Sequence, residues 1–366
     1  MSRPMKRPVR IAVTGAAGNI GKALLSQIGA GSLFGPDQPV ILQLIELPQA
    51  IDQLRGAAME LEDCAFPLVH SITLHTDSAT GFADAHYAFL IGAMPRKQGM
   101  ERADLLQANA EIFSLQGRMI NDHANPDVRV LVVGNPCNTN AMIASRNAPD
   151  LCPTQFTAMS RLDHNRMAGI LANRIGYNPA NLRKLIVWGN HSATMVPDID
   201  HGNCFGQPLT ELVDDKWFKD VFVEKIQKRG AEIIQTCGHS STLSAARSAV
   251  DHMNSWANGT RADDYASMGV ISDGSYGITK GIHFSFPVHC NYGRYQIVQG
   301  LQLNPWLQDM IKRTEDELLK ERELVQDLLP KETEARHNNF SRDYSNGREQ
   351  TSGEHFLSAQ KISEHE

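Results

Sequence analysis

The chain has 366 residues, of which 42% are apolar and 21% charged, with a formal net charge of -6 at pH 7. This length allows two domains or one large domain with a sizeable core. The acidic balance argues against a nucleic-acid or anionic-membrane partner. We expect a cytoplasmic protein, because no apolar run approaches the roughly 18 residues of a membrane span and the N-terminal stretch lacks the apolar region of a signal peptide.

The first elements are typical of a strand, a glycine-rich turn and a helix. The apolar run Arg10–Val13 precedes the turn, and the helix is expected from about Lys22 to Ile28. Glycines spaced G-x-x-G-x-x-G let the backbone turn sharply and approach a pyrophosphate, which the free N–H groups of the helix N-terminus would bind. The commoner spacing is G-x-G-x-x-G. The expected cofactor-binding turn comprises Thr14, Gly15, Ala16, Ala17, Gly18, Asn19, Ile20 and Gly21.

The second strand, Val40–Ile45, ends in an acid, Glu46, 25 residues past Gly21. Dinucleotide-binding sites place an acid near this distance to hold the adenosine ribose hydroxyls. A carboxylate there disfavours a 2′-phosphate, so the pattern predicts NAD rather than NADP. The alternative is a solvated carboxylate at a strand end.

Further strands and helices alternate along the first half of the chain. Apolar runs at Tyr87–Gly92 and Val128–Val133 predict buried strands, and Ala50–Phe66 predicts a helix with one apolar stripe. This alternation predicts an α/β fold with a doubly wound, parallel, Rossmann-type sheet. Ligands bind such sheets at the carboxyl ends of the strands, where the loops after Ile91 and Val133 begin.

The loop after Ile91 carries two arginines, Arg96 and Arg102, with Pro95 and Gly99 as candidate hinge points. Such a loop suits a lid that closes over an anion, although a solvated charge run would look the same. The loop after Val133 begins Gly134-Asn135-Pro136, and Asn135 offers both hydrogen-bond donors and an acceptor.

The alternating pattern fades beyond Leu151. Helical stretches at 221–236 and 243–256, strands at 266–271 and 282–287, and a long amphipathic helix at 310–329 predict a second, α+β catalytic domain. Residues 331–366 are polar and are expected to be disordered. The predicted division is an N-terminal extension 1–8, a dinucleotide-binding domain 9–158, a substrate domain 159–330 and a tail 331–366. Six scattered cysteines, with no C-x-x-C pair, predict reduced, mostly buried thiols and no metal site.

An acid, a guanidinium and an imidazole lie close in sequence between residues 160 and 196. Asp163 and Arg166 are three residues apart and share a helix face, and His191 follows the short strand-like run Lys184–Trp188. His191 could exchange a proton, Asp163 could orient it, and Arg166 could bind a carboxylate. From spacing alone, the commoner explanation of Asp163 and Arg166 is a salt bridge on a solvent-exposed helix face.

Together these motifs resemble the lactate/malate dehydrogenase family, and specifically its cytosolic-type malate dehydrogenase branch. The resemblance covers roughly residues 9–329. It rests on five motifs in order, namely the turn 14–21, the loop 95–106, the segment 133–136, the segment 161–166 and the segment 188–194.

The resemblance implies NAD-dependent oxidation of (S)-malate to oxaloacetate, a reaction of the tricarboxylic acid cycle, in a homodimer that would use the 50–66 helix. His191 would be the general base and Asp163 its orienter. Arg166 would bind the C1 carboxylate, Arg102 would polarise the C2 oxygen and Arg96 would pair with the distal carboxylate. Asn135 would contact both substrate and cofactor, and Ser241 is a weaker match near the substrate. The remaining cofactor-lining positions would be Asn109, Gln116, Val133 and Gly134.

Two alternatives stay open. A lactate or other 2-hydroxy acid dehydrogenase would share everything except the distal-carboxylate arginine. A non-catalytic dinucleotide-binding protein would keep the fold, but it would normally lack one of the catalytic residues, and none is missing here. Segments 1–8 and 331–366 contain no cysteine, unlike the extensions of the NADP-dependent plastid members of the branch.

Overall fold

The computed structural model describes residues 6–94 and 102–330. The residues up to Leu329 form one compact unit. Its strands are β1 Val9–Thr14, β2 Val40–Ile45, β3 Val69–His75, β4 Tyr87–Leu90, β5 Arg129–Val132, β6 Phe156–Ala158, β7 Leu182–Arg183, β8 Ile186–Trp188, β9 Val196–Asp198, β10 Asn203–Cys204, β11 Gln207–Pro208, β12 Ala266–Ile271, β13 His283–Asn291 and β14 Arg294–Ile297. Its helices are α1 Asn19–Gly29, α2 Ile51–Asp63, α3 Ser78–Gly81, α4 Arg102–His123, α5 Cys137–Arg146, α6 Arg161–Ile175, α7 Leu209–Leu212, α8 Asp215–Trp217, α9 Val223–Cys237, α10 Leu243–Asn258 and α11 Pro305–Leu324.

One nine-stranded sheet runs through this unit in the order β14-β13-β12-β6-β5-β4-β1-β2-β3. The six strands from β6 to β3 are parallel, as the α/β prediction requires. Strand order reverses between β1 and β4, so a crevice opens at their carboxyl ends, where open α/β sheets bind ligands. Ile11, Ala12 and Val13 of β1 are fully buried, as expected for a central strand covered on both faces.

The antiparallel strands β12, β13 and β14 extend the same sheet beyond β6. Two small sheets, β11-β10-β7 and β8-β9, lie outside it. A second apolar cluster joins α6 to α9 through residues that include Met167, Leu171, Phe222 and Ile226. The predicted domain boundary at residues 158 and 159 falls where β6 meets α6, and it stays a prediction.

Several predicted element boundaries were wrong. Helix α1 begins at Asn19 rather than Lys22, because Gly18 is already extended and acts as the N-cap. Helix α2 ends at Asp63 rather than Phe66, and Ala65, which lies within the predicted span, is exposed with φ +48°. Helix α11 begins at Pro305 rather than Met310, because the Asn304 side chain accepts a hydrogen bond from the Leu307 N–H and caps the helix.

The six cysteines are all free, as expected, but fewer are buried than predicted. Cys137, Cys204 and Cys290 are buried, whereas Cys64 and Cys237 are exposed. Among the residues that the structure describes, no group of three or more His, Cys, Asp or Glu side chains could hold a metal ion. No helix in that part of the chain is long and apolar enough to cross a membrane.

Candidate active site

The structure brings Asp163 and His191 into direct contact. Helix α6 begins at Arg161, so Asp163 lies in its first turn, where its side chain is completely buried. His191 is the third residue after β8, and its Nδ1 donates to Asp163 Oδ2. A carboxylate only accepts, so the Nδ1 of His191 carries the proton and its Nε2 is the nitrogen that can exchange a proton with a substrate.

Arg166 lies beside this pair and has hydrogen-bonding capacity to spare. Its NH1 group donates to Asp163 Oδ1 at 3.2 Å and its NH2 group to Ser241 Oγ at 2.9 Å. The Nε–H is buried and has no hydrogen-bond partner among the residues that the structure describes. Two contacts leave three of the five N–H groups of a guanidinium available, which fits the fork that binds a carboxylate through two bonds.

Asn138 is a site residue that the sequence analysis missed. Its buried side chain accepts from the His191 backbone N–H at 3.0 Å and donates to the carbonyls of Gly189 at 3.3 Å and His283 at 3.1 Å. It therefore fixes the backbone of His191 against α5. The signal that could have revealed it is the run of three asparagines, at positions 135, 138 and 140, beside an apolar strand.

The charge of Asp163 also acts on Cys137. Burial raises the pKa of the Cys137 thiol, and the negative charge of Asp163 raises it further. The thiol is therefore held neutral and is no competing nucleophile or base beside His191.

The glycine-rich turn has the geometry that a pyrophosphate requires. Gly15 has φ +68°, and a Cβ at this position would meet the Gly92 backbone N at 2.8 Å. A Cβ on Gly21 would meet the carbonyl oxygens of Gly15 at 2.5 Å and Ala16 at 2.6 Å, so the turn closes only with glycine. No side chain caps α1, which leaves its first N–H groups, those of Asn19, Ile20 and Gly21, free of intrahelical partners.

Glu46 lies next to this turn, as predicted. Its Oε1 accepts from the Ala17 N–H at 3.1 Å and its Oε2 from the Leu47 N–H at 3.2 Å. The half-buried carboxylate is thus oriented from both sides at the end of β2. Its remaining lone pairs can accept hydrogen bonds from two ribose hydroxyls.

The end of β5 places three further predicted residues near the same crevice. The N–H groups of Val133 and Gly134 both donate to the Leu90 carbonyl, at 2.9 and 3.0 Å. The Gly134 carbonyl accepts from Asn140 Nδ2 at 2.9 Å. Asn135 is exposed and is followed by a cis peptide bond to Pro136.

Asn109 and Gln116 lie on α4, but the amide of Asn109 is committed to the chain itself. Its Oδ1 accepts from the Met94 N–H at 2.9 Å, and its Nδ2 donates to the Leu105 carbonyl at 2.9 Å and to the Met94 carbonyl at 3.3 Å. Gln116 has a buried Oε1 that finds no hydrogen-bond partner within residues 6–94 and 102–330. The predicted contacts of Asn109 and Gln116 with a cofactor stay predictions.

The predicted lid lies mostly outside the described residues. Pro95, Arg96 and Gly99 lie in the segment 95–101, which is outside the described residues. The tail 331–366, for which disorder is predicted, is also outside them. Arg102 is the first residue of α4, and its side chain is not described.

Comparison with known proteins explains this arrangement. Residues 9–153 match the family model described as lactate/malate dehydrogenase, NAD binding domain, and residues 160–329 match the lactate/malate dehydrogenase, alpha/beta C-terminal domain. The chain belongs to the lactate/malate dehydrogenase family. Members of this family are NAD-dependent oxidoreductases, so NAD is the cofactor of this chain.

Solved structures of both activities resemble this family member. A malate dehydrogenase from Naegleria fowleri is 44% identical with a TM-score of 0.86, over 89% of this chain and 100% of that one. A lactate dehydrogenase from Trichomonas vaginalis, solved with NADH and oxamate, is 37% identical with a TM-score of 0.84, over 87% of this chain and 98% of that one. A malate dehydrogenase from Plasmodium falciparum, 20% identical with a TM-score of 0.75 over 88% and 100%, shares the fold.

Proposed function

We propose that this enzyme is a malate dehydrogenase, which interconverts (S)-malate and oxaloacetate with NAD. The observation that supports the reaction most directly is the contact of His191 with buried Asp163 beside a guanidinium with free N–H groups. A proton acceptor and a carboxylate-binding group are the two things that oxidation of a 2-hydroxy acid requires from the protein.

His191 takes the hydroxyl proton of malate on Nε2 as the C2–O bond becomes a carbonyl. Asp163 holds the imidazole in the tautomer that leaves Nε2 unprotonated and then stabilises the imidazolium. Bound NAD supplies the hydride acceptor. In the reverse direction, His191 must begin protonated so that it can return the proton to the C2 oxygen of oxaloacetate.

The remaining roles follow the family resemblance, residue by residue. Arg166 would bind the C1 carboxylate bidentately, with Ser241 and Asp163 fixing the plane of its guanidinium. Asn135 would hydrogen-bond the substrate, and Arg102 would polarise the C2 oxygen. Arg96 would pair with the distal carboxylate and so determine the preference for a four-carbon diacid.

Lactate dehydrogenase is the second candidate, and the 37% identical lactate dehydrogenase from Trichomonas vaginalis is the observation that favours it. Malate is preferred because the 44% identical relative is a malate dehydrogenase and because this chain has an arginine at position 96. A methyl group opposite Arg96 would leave a desolvated charge unpaired, which costs roughly 3–5 kcal/mol.

An assay of NADH oxidation with oxaloacetate, with pyruvate and without substrate tests this assignment. Oxaloacetate should be reduced with an efficiency about two to four orders of magnitude above that for pyruvate, as an unpaired buried charge predicts. Arg96→Gln should lower kcat/KM for oxaloacetate steeply and raise the relative efficiency with pyruvate. If this variant kept its full preference for oxaloacetate, another cation would select the substrate. If the wild-type enzyme preferred pyruvate, the assignment as a lactate dehydrogenase would be favoured.

We also propose that the enzyme is a cytoplasmic homodimer that pairs through α2. This helix buries Leu54, Ala58 and Leu61 against the unit but leaves Met59 exposed. Light scattering should give twice the mass of the chain, and Met59→Lys should shift the protein towards monomer. A monomeric wild-type protein at micromolar concentration would refute the dimer, and fractionation of cells tests the location.

A further inference from the structure

One face of the C-terminal helix α11 is aimed at the segment that carries His191. Thr314, Glu317 and Glu321 are spaced three and four residues apart, so they lie on the same side of the helix. Thr314 is completely buried and Glu321 is 2% exposed. Buried carboxylates are costly unless they are paired and hydrogen-bonded, so their partners indicate what they are for.

The partners of this face are the residues that flank His191. Glu317 Oε2 accepts from Asn190 Nδ2 at 3.0 Å, from Thr194 Oγ1 at 2.6 Å and from Ser192 Oγ. The face makes three other contacts with these residues. Thr314 Oγ1 accepts from the Asn190 N–H at 2.9 Å and lies within hydrogen-bond distance of Thr194 Oγ1, at 2.8 Å. Glu321 Oε1 accepts from Asn190 Nδ2 at 3.1 Å.

Side chains alternate along this segment. Asn190 and Ser192 bond to α11, whereas His191 between them bonds to Asp163 through its ring and to Asn138 through its backbone N–H. The histidine is therefore fixed from one side by α5 and α6 and from the other by α11. Glu321 also accepts from Thr139 Oγ1 of α5, which joins the two sides.

The packing at Gly189 makes the distance between helix and segment strict. Gly189 has φ +97°, and a Cβ at this position would lie 2.2 Å from Thr314 Cγ2 and 2.4 Å from Thr314 Oγ1. The end of β8 and α11 thus approach so closely at this point that only a glycine fits.

We infer that Glu317 and Glu321 are positioning residues for catalysis, which set the place of the His191 imidazole through Asn190, Ser192 and Thr194. The inference rests on the proposed role of His191 but not on the choice between malate and lactate. A carboxylate only accepts hydrogen bonds, so it fixes the direction of every hydroxyl and amide that donates to it. A glutamine at either position presents N–H groups to donors and breaks this pattern.

The test compares two equally buried carboxylates on the same helix. Glu321→Gln changes the face that contacts the segment, whereas Glu315→Gln changes a carboxylate that accepts from the Thr279 N–H and hydroxyl, both at 2.7 Å. Ser192→Ala is a milder third variant, which removes one donor to Glu317. The measurements are kcat, KM, the Kd of NADH, the melting temperature and the isotope effect with NADH deuterated at the transferred hydrogen.

We expect kcat of Glu321→Gln to fall on the order of 10- to 100-fold, because a displacement of about 1 Å from the productive geometry can cost this much. Its isotope effect should rise as hydride transfer becomes limiting. Its Kd for NADH should stay within about twofold, since Thr139 and Asn190, to which Glu321 bonds, are not among the predicted cofactor residues. In Ser192→Ala, kcat should also fall and the isotope effect should also rise, but both changes should be smaller. Glu315→Gln should have a lower melting temperature than the wild type but the same kcat and the same isotope effect.

Equal losses of kcat in Glu321→Gln and Glu315→Gln, or unchanged kcat in Glu321→Gln, would overturn the inference. Each variant is compared with the wild type on whichever 2-oxo acid the wild type reduces, so a wrong substrate assignment leaves this test intact. The NMR signals of the His191 ring, assigned by comparison with His191→Asn, should shift in Glu321→Gln and not in Glu315→Gln. Unshifted signals would refute the inference even in an inactive protein.

Discussion

Glu46 shows how one carboxylate can select a cofactor. It is held at the turn by the N–H groups of Ala17 and Leu47, so it cannot swing away from a 2′-phosphate. Like charges brought together in a binding site cost several kcal/mol. We therefore expect kcat/KM to be at least on the order of 10²-fold higher with NADH than with NADPH, and Glu46→Gln to narrow that ratio. Equal efficiencies in the wild type would contradict this account.

His191→Asn should lower turnover on the order of 10²-fold or more while NADH still binds, because general acid–base catalysis typically contributes 10²–10⁴. In the wild type, oxidation should rise with pH and reduction should fall, since the two directions need the neutral and the protonated imidazole. A matched control exists in His201, whose Nδ1 lies 2.9 Å from Asp198 Oδ2. His201→Asn should keep turnover. If the rates of oxidation and reduction changed with pH in the same direction, another residue would carry the proton.

The sequence could indicate the reacting residues but not the residues that hold them. Asp163 and Arg166 are recognisable because a helix places them on one face, and His191 because it follows a strand. Asn138 lies 53 residues from His191, and Glu321 lies 131 residues from Asn190. No local pattern records such long-range contacts, so they became visible only in the folded chain.

At the scale of elements, the turn between β1 and α1 has the least freedom to change. Gly21→Ala would push a Cβ into the carbonyls of Gly15 and Ala16, so it should weaken NADH binding by at least tenfold and destabilise the fold. Gly169→Ala is the control, because it is exposed on α6 and its Cβ would meet nothing within 4 Å. That variant should gain about 0.4–1 kcal/mol in the free energy of unfolding. Unchanged NADH fluorescence titrations for Gly21→Ala would refute the geometry described.

Short apolar strands were predicted, whereas a helix that is buried on every side was not. The strands β1, β2 and β12 match the apolar runs that predicted them. Helix α5 was missed because Cys137–Ser145 is buried on every side, which removes the polar face that marks a helix in sequence. Helix α4 was not predicted either, and its first residue, Arg102, was assigned to the charged loop that begins after Ile91.

At the scale of the whole molecule, the parallel half of the sheet was predicted but its continuation was not. The right-handed crossovers of alternating strands and helices determine how β1 to β6 pair. The pairing of β12 with β6 joins Gly269 to Ala158, and a Cβ on Gly269 would lie 2.8 Å from the Ala158 Cβ. This contact depends on a single glycine far along the chain, which no periodicity reveals.

Buried histidines make the stability of the molecule depend on acidity. Burial lowers the pKa of His252 to about 3 and that of His283 to about 4, from 6.5. Between pH 6.5 and 4 the unfolded chain binds protons that the folded chain does not, so stability falls as the pH falls. His252→Gln should reduce the slope of unfolding free energy against pH near pH 5 by about 1.4 kcal/mol per unit.

Urea unfolding at pH 5, 5.5 and 6 measures this slope. His239→Gln, at an exposed position, is the control and should leave the slope unchanged. A His252→Gln slope equal to that of the wild type would mean that His252 is already protonated in the folded state.

The contacts between α11 and the residues around His191 also have a consequence for the order in which the molecule becomes an enzyme. Chains are synthesised from the N-terminus, so the cofactor-binding turn and every residue that would touch the substrate leave the ribosome before Pro305 does. The hydrogen bonds that hold the segment around His191 against α11 can therefore form only after the rest of the site has been synthesised. If α11 positions His191 as proposed, catalytic competence arrives late in translation.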